Sequence, residues 1–161
     1  MNNKKNAYLG LFAAVAIIFG YVESLFPFFA GIPGIKLGLA NLAVLFILET
    51  YTWKEAAVVS AVRIVVIGFL FGNMFTIIYS LAGAALSLFV MTLMKKSSGF
   101  SILGISVAGG VSHNIGQLMV AALIVENTSL LYYAPVLLIS GMITGLLIGI
   151  LTKEVTKRIH L

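Results

Sequence analysis

Apolar stretches of about 20 residues, the length that crosses a bilayer as an α-helix, follow one another along nearly the whole chain. Short clusters of Lys, Glu, Gly, Pro or Asn separate them. Hydrocarbon offers no water to backbone N–H and C=O groups, so each stretch must satisfy them internally as a helix. Only 9% of the residues are charged and 61% are hydrophobic, against about 25% charged in an ordinary soluble domain. The expected fold class is an all-α integral membrane protein, a compact bundle of six transmembrane helices forming one domain over residues 1–161.

The segmentation predicts helices over residues 7–25, 37–51, 56–71, 74–94, 102–125 and 132–152. The second and third are the shortest, and as a hairpin they need not span fully. Pro27, Gly31, Pro33 and Gly34 break the chain after the first helix, and Trp53, Lys54 and Glu55 are read as an interfacial turn. Gly72 and Asn73 end the third helix, while Glu126 to Ser129 turn the chain before the sixth. Lys4 and Lys5 precede an apolar run too long for a signal peptide, with no small-x-small site after it, so it reads as a retained helix.

Charge sets the orientation. With the N-terminus inside, Lys4, Lys5, Lys54, Lys95, Lys96, Lys153, Lys157 and Arg158 share the cytoplasmic side, Lys36 falls outside and Arg63 lies within the third helix. Both termini are then cytoplasmic, in a multi-pass protein of the cell membrane. The net charge of +5 marks loops between apolar segments and forms no patch for nucleic acid.

Ionisable and amide side chains inside a membrane are costly and point to specific partners or to function. Arg63 has two readings, a structural pair with Glu49 of the neighbouring segment or a cation for an anionic ligand. Glu23 and Lys36 either pair across the first loop, or Lys36 reaches a ligand at the outer mouth. The fifth segment holds Ser112, His113, Asn114, Gly116 and Gln117, with His113 and Gln117 one helical turn apart. The fourth carries Thr76, Tyr79, Ser80, Gly83 and Ser87 along one face. The candidate binding set is Lys36, Asn41, Arg63, Tyr79, His113, Asn114 and Gln117, around a pocket in the outer half. Asn73 adds to the polar groups near it.

Small residues mark close helix approach. Gly141, Gly145 and Gly149 of the sixth segment read as internal packing, and Gly10, Ala14, Ala16 and Gly20 of the first as a docking surface for a membrane partner.

Several chemistries are excluded. The chain has no cysteine and no aspartate, and a single intramembrane histidine falls short of a metal ligand set, so neither metal nor cofactor is expected. There is no P-loop, no hydrolase triad motif and no ladder of acidic residues for proton coupling.

The stretch Pro33-Gly34-Ile35-Lys36-Leu37-Gly38-Leu39-Ala40-Asn41-Leu42, together with Ser112-His113-Asn114-Ile115-Gly116-Gln117-Leu118, resembles the Gx transporter family, also described as heptaprenyl diphosphate synthase component I. That family is similar to the substrate-binding S-components of energy-coupling-factor (ECF) transporters. The resemblance implies a lid over residues 27–36, contact between helix 1 and a transmembrane coupling subunit, and energy from cytoplasmic ATPases. It also implies a small, partly apolar ligand, isoprenoid- or quinone-related, with an anionic group as one option. Catalysis of prenyl transfer is not expected, because diphosphate is held there through Mg²⁺ on carboxylate oxygens and this chain has no aspartate. Two functions stand side by side: a transporter's binding subunit, or a non-transporting membrane anchor of a prenyl synthase or of a flavin- or quinone-linked redox complex.

Overall fold

The computed structural model describes residues 3–25, 38–97 and 99–159. The expected lid over 27–36, with Lys36, lies outside the described residues. Among the described residues six α-helices follow one another: α1 (Asn3–Leu25), α2 (Leu39–Thr50), α3 (Trp53–Phe71), α4 (Met74–Lys96), α5 (Ile102–Val125) and α6 (Ala134–Arg158). A short 3₁₀ helix, Thr128–Tyr133, precedes α6. No strand occurs among the described residues.

Among the described residues four spans are long and apolar enough to cross a membrane: α1, α4, α5, and α6 with its 3₁₀ lead-in. Helix α3 has the length, at 19 residues, but carries Lys54, Glu55 and Arg63. Helix α2 has 12 residues, about 18 Å of rise against a hydrocarbon core of about 30 Å. Large apolar side chains point outward all round the bundle, from Leu11 and Ile18 of α1 to Phe69, Phe89, Leu123 and Leu147. Such a surface suits lipid and not water. The chain is an all-helical membrane bundle.

Three predicted boundaries are corrected. Trp53, Lys54 and Glu55 are not a turn but the first turn of α3. Thr52 caps it, its hydroxyl accepting from the Lys54 N–H at 3.3 Å while Glu55 Oε2 accepts from the Thr52 N–H at 3.2 Å. That reciprocal box satisfies N–H groups that every helix start leaves open. The stretch before the sixth helix winds as 3₁₀ from Thr128, and α6 begins at Ala134 and runs through the basic tail to Arg158. Helix α2 starts only at Leu39, after Gly38 at φ 75, a left-handed conformation that favours glycine.

Polar side chains hold the lysine-rich end together. Lys5 Nζ lies 2.5 Å from Glu55 Oε1, joining the starts of α1 and α3. Lys95 Nζ donates to the carbonyls of Leu48 and, at 3.0 Å, Glu49, closing the C-terminal end of α2. Glycine contacts bring Gly149 of α6 beside Leu103 of α5, so the end of α6 joins the same side. The structure thus gathers at one end the cations that the sequence places together, Lys36 being outside the described residues.

Helix α2 is the centre of the core. Ala40 and every residue from Ala43 to Leu48 are buried, against Ala16 of α1, Ala56 and Val59 of α3, Leu88 and Met91 of α4, and Ile148 of α6. Phe12 and Phe46 pack with ring centroids 4.9 Å apart. On the other side, α5 and α6 touch backbone to backbone. A Cβ on Gly110 would stand 2.4 Å from the Gly141 carbonyl oxygen, and one on Gly145 would stand 2.8 Å from that of Ser106. The Gly141, Gly145 and Gly149 ladder is therefore internal packing, as the sequence suggests.

A measurable consequence separates this seam from the free glycine of α1. Gly145→Leu meets backbone on α5, whereas Gly10→Leu meets open space, with no atom within 4 Å. Overpacking of this kind costs about 1–3 kcal/mol. Thermal unfolding in detergent should show Gly145→Leu several degrees below the parent and Gly10→Leu unchanged.

Candidate functional site

The start of α2 lies inside the bundle. Asn41 is nine residues before Thr50 and Arg63 ten after Trp53, so both stand about 14–15 Å above the lysine-rich end at 1.5 Å per residue. That is mid-depth in a core of about 30 Å. A Cβ on Gly38 would lie 3.9 Å from Cγ1 of Ile148, which places the helix start beside the middle of α6.

At this level the first turn of α2 meets two charged residues. The Leu39 N–H donates to Glu23 Oε1 at 2.7 Å. Arg63 Nη2 donates to Asn41 Oδ1 at 3.0 Å. Its Nε is buried with no hydrogen-bond partner. Of the two readings of Arg63, the structural pair with Glu49 is therefore not what forms. Glu49 lies half a helix lower, its carboxylate 3.9 Å from Lys95, too far from Arg63 because α2 and α3 run antiparallel from the turn at Tyr51. Glu23 reaches down α1 to a backbone amide, and the expected Glu23–Lys36 pair falls outside the described residues.

Next to this station a cavity of about 40 Å³ opens between the helices. Gly38 and Asn41 of α2, Ser60 of α3, Ser87 of α4, His113 of α5 and Thr144 of α6 contribute to its wall. The volume is room for a few waters or one small polar group. Ser87 donates to the Gly109 carbonyl across the α4–α5 contact at 2.8 Å.

The candidate residues divide by position. Asn41 and His113 line this cavity. Arg63 is one hydrogen bond behind it, through Asn41. Asn114 faces α6 and donates to the Leu137 carbonyl at 2.6 Å. Gln117 is buried against α4 and donates to Ser80 at 3.4 Å. Tyr79 donates to Thr76 of its own helix at 3.3 Å. Asn73 caps α4, accepting from the Thr76 N–H at 2.9 Å. Lys36 lies outside the described residues. Among the docking candidates, Gly10 and Ala14 are exposed, while Ala16 and Gly20 are buried, Gly20 within reach of Ile67 and Ala40.

Sequence reasoning missed Ser60, Ser106 and Thr144 of the wall and the role of Glu23. Ser60 is three residues before Arg63, on the same face of α3, and that spacing could have found it. Ser106 and Thr144 carry no such signal, since a lone hydroxyl in a membrane helix usually bonds its own backbone, as Thr144 does with Ser140 at 2.9 Å. Among the described residues, no group of three His, Cys, Asp or Glu is placed to hold a metal.

Fold and interior together define a multi-pass helical membrane protein with a polar station at mid-depth. The model of the family described as heptaprenyl diphosphate synthase component I matches residues 12–155, and the chain belongs to that family. No curated protein and no solved structure matches it.

The bond from Asn114 to α6 is testable apart from any ligand. Asn114→Leu leaves the Leu137 carbonyl without its donor. Interhelical hydrogen bonds in membranes average about 0.6 kcal/mol and reach about 1.7. A loss within that range is expected in detergent or denaturant unfolding of Asn114→Leu, with the helical circular dichroism of the folded state unchanged.

Proposed function

We propose that the chain is the substrate-binding membrane subunit of an ECF-type transporter, working in the cytoplasmic membrane with its lysine-rich end in the cytoplasm. The observation that carries this reading is the cavity at mid-depth, walled by five helices, with Asn41, Ser60, His113 and Thr144 among its lining residues and Arg63 behind Asn41. A membrane anchor needs no such interior, and polar groups cost free energy in hydrocarbon unless they serve a purpose. The helix start at Leu39 faces away from the lysine-rich end, so the site is reached from outside under the positive-inside rule. The ligand is small and partly apolar, isoprenoid- or quinone-related by the family's name, and the surrounding apolar core suits its carbon skeleton.

The chain does not catalyse prenyl transfer in this reading. It has no aspartate, and diphosphate chemistry of that kind relies on Mg²⁺ held by clustered carboxylates. The word component in the family's description fits a protein that acts with partners.

Without a nucleotide site, accumulation must draw energy from a coupling subunit and its ATPases. Gly10 and Ala14 stand on the lipid-facing side of α1, where a partner helix can approach closely. Ala16 is fully buried, so substitution there tests the fold and not the partner.

The deciding experiment is affinity purification from cells that co-express the chain with an ECF coupling subunit and its two ATPases. The parent chain should retain all three, and Gly10→Leu with Ala14→Leu should lose them while remaining folded. No co-purification with the parent chain would refute the transporter reading and leave the alternative, a membrane anchor for a prenyl synthase or a flavin- or quinone-linked complex. Asn114 and Gln117, each spent on an interhelical bond, are what favours that second reading.

A further inference from the structure

Two serines in the wall of the mid-depth cavity are deeply buried, Ser60 of α3 at 5% exposure and Ser106 of α5 at 4%. A hydroxyl in a membrane helix ordinarily donates to a carbonyl one turn back. Ser112 does so with Ala108 at 2.7 Å, and Thr92, Thr144 and Thr156 follow the same habit. Ser60 and Ser106 do not. Among the described residues, neither hydroxyl has a hydrogen-bond partner of any kind.

Neither oxygen is sealed in. The side-chain atoms that are both enclosed and unpartnered among the described residues are Glu49 Oε1, Arg63 Nε and Thr152 Oγ1. The two serine oxygens therefore keep surface that a small group can touch, and the space that both residues border is the cavity of about 40 Å³.

Asn41 adds a third free group. A guanidinium can only donate, so the amide turns its oxygen to Arg63 Nη2 at 3.0 Å and leaves its NH₂ for others. That nitrogen lies on the side of Gly38, where an added Cβ would stand 3.6 Å from it, and Gly38 borders the cavity as well. Nδ2 has no acceptor among the described residues.

The wall thus offers two hydroxyls, which both give and accept, and an amide that gives. No Lys, Arg, Asp or Glu among the described residues lines it. A charged head would leave water with no counter-charge in the wall, the costliest kind of burial. An uncharged oxygen takes up the free groups without that cost.

We propose that the cavity binds an uncharged oxygen head, a carbonyl or a hydroxyl, at the end of an apolar ligand, with Ser60, Ser106 and the Asn41 amide N–H as its hydrogen-bond partners. The space holds about three water-sized groups, enough for the head and not for a whole lipid-like molecule. Val44, Leu45 and Met91 of the same wall meet the first carbons behind it. The inference rests on the reading of the chain as a ligand-binding subunit, and it names the charge and hydrogen-bonding character of the head.

Probes that share one carbon skeleton test it: geraniol, geranial, geranylamine and geranic acid, the last two charged at neutral pH. Binding to purified full-length protein in a non-ionic detergent is followed by calorimetry. Each affinity is read against the double variant Ser60→Ala with Ser106→Ala, which corrects for partition into the micelle. Geraniol or geranial should bind at least about tenfold more tightly than either charged probe. An advantage for geraniol marks a head that also donates, and an advantage for geranial one that only accepts.

The serines carry a signature that a structural role would not. Ser60→Ala and Ser106→Ala should each weaken the better uncharged probe about two- to tenfold, the effect of one neutral hydrogen bond. The ligand-free variants should melt at or above the parent, because the lost hydroxyls held no neighbour. Tighter binding of geranylamine or geranic acid overturns the proposal. So does absence of binding by both uncharged probes, unchanged affinity in the double variant, or melting several degrees below the parent in the serine variants. The co-purification test is separate. Loss of the coupling partners with the uncharged preference intact removes the transporter reading alone, and retained partners with a charged preference remove the uncharged head alone.

Discussion

Backbone amides cannot be left open in hydrocarbon, and α2 opens its first turn in the middle of the bundle. The bond from the Leu39 N–H to Glu23 meets that requirement. Much of the interior follows from it. Because α2 begins at Leu39, the outer halves of α1, α3 and α6 do not close on a full-length central helix, and polar groups gather at the level where it starts. Arg63 is held at that level by Asn41, whose side-chain oxygen accepts from its guanidinium. Gly38 is required at the helix start by its left-handed backbone, and a side chain there would also approach Asn41 and Ile148.

The remainder of the bundle rests on a different principle. Helices α4, α5 and α6 approach so closely that backbone meets backbone at Gly83 and Gly116 and again at Gly110 and Gly141. Dispersion contacts and interhelical hydrogen bonds replace the hydrophobic effect inside a membrane, and glycine lets them act at short range. Helices α1, α2 and α3 pack instead through side chains, with Phe12 on Phe46 and Ile67 against Gly20. The cavity lies where these two kinds of packing meet.

Much of this architecture was legible in the sequence, and the parts that were not have physical reasons. Apolar length located all six helices, and the fifth to the residue, because Ser101 caps its start and Glu126 ends it in a left-handed turn. The N-terminal turn of α3 was misread because Trp53, Lys54 and Glu55 are polar at a membrane surface whether helical or not, and the Thr52–Glu55 box is a short-range signal that hydropathy does not weigh. Arg63 was recognised as exceptional, and the structural one of its two readings paired it with Glu49, whereas it bonds Asn41. The neighbouring segment suggested Glu49, while depth brings Asn41 to Arg63, and depth depends on where α2 starts. Among the binding candidates, Asn41 and His113 reached the cavity wall. Asn114 and Gln117 turned to neighbouring helices, since helical spacing fixes a face but not which neighbour that face meets.

The glycine seam between α5 and α6 also bears on how the chain enters a membrane. Of the four long spans, the one containing α5 is the least apolar, burdened by Ser112, His113, Asn114 and Gln117, while the span with α6 is the most apolar. A helix of that kind enters lipid most readily when a neighbour is at hand to take its polar groups. Helix α6 follows after the eight residues 126–133 and offers the Leu137 carbonyl to Asn114. During synthesis, α5 and α6 are therefore suited to partition from the insertion machinery as one hairpin, the later helix carrying the earlier one into the bilayer.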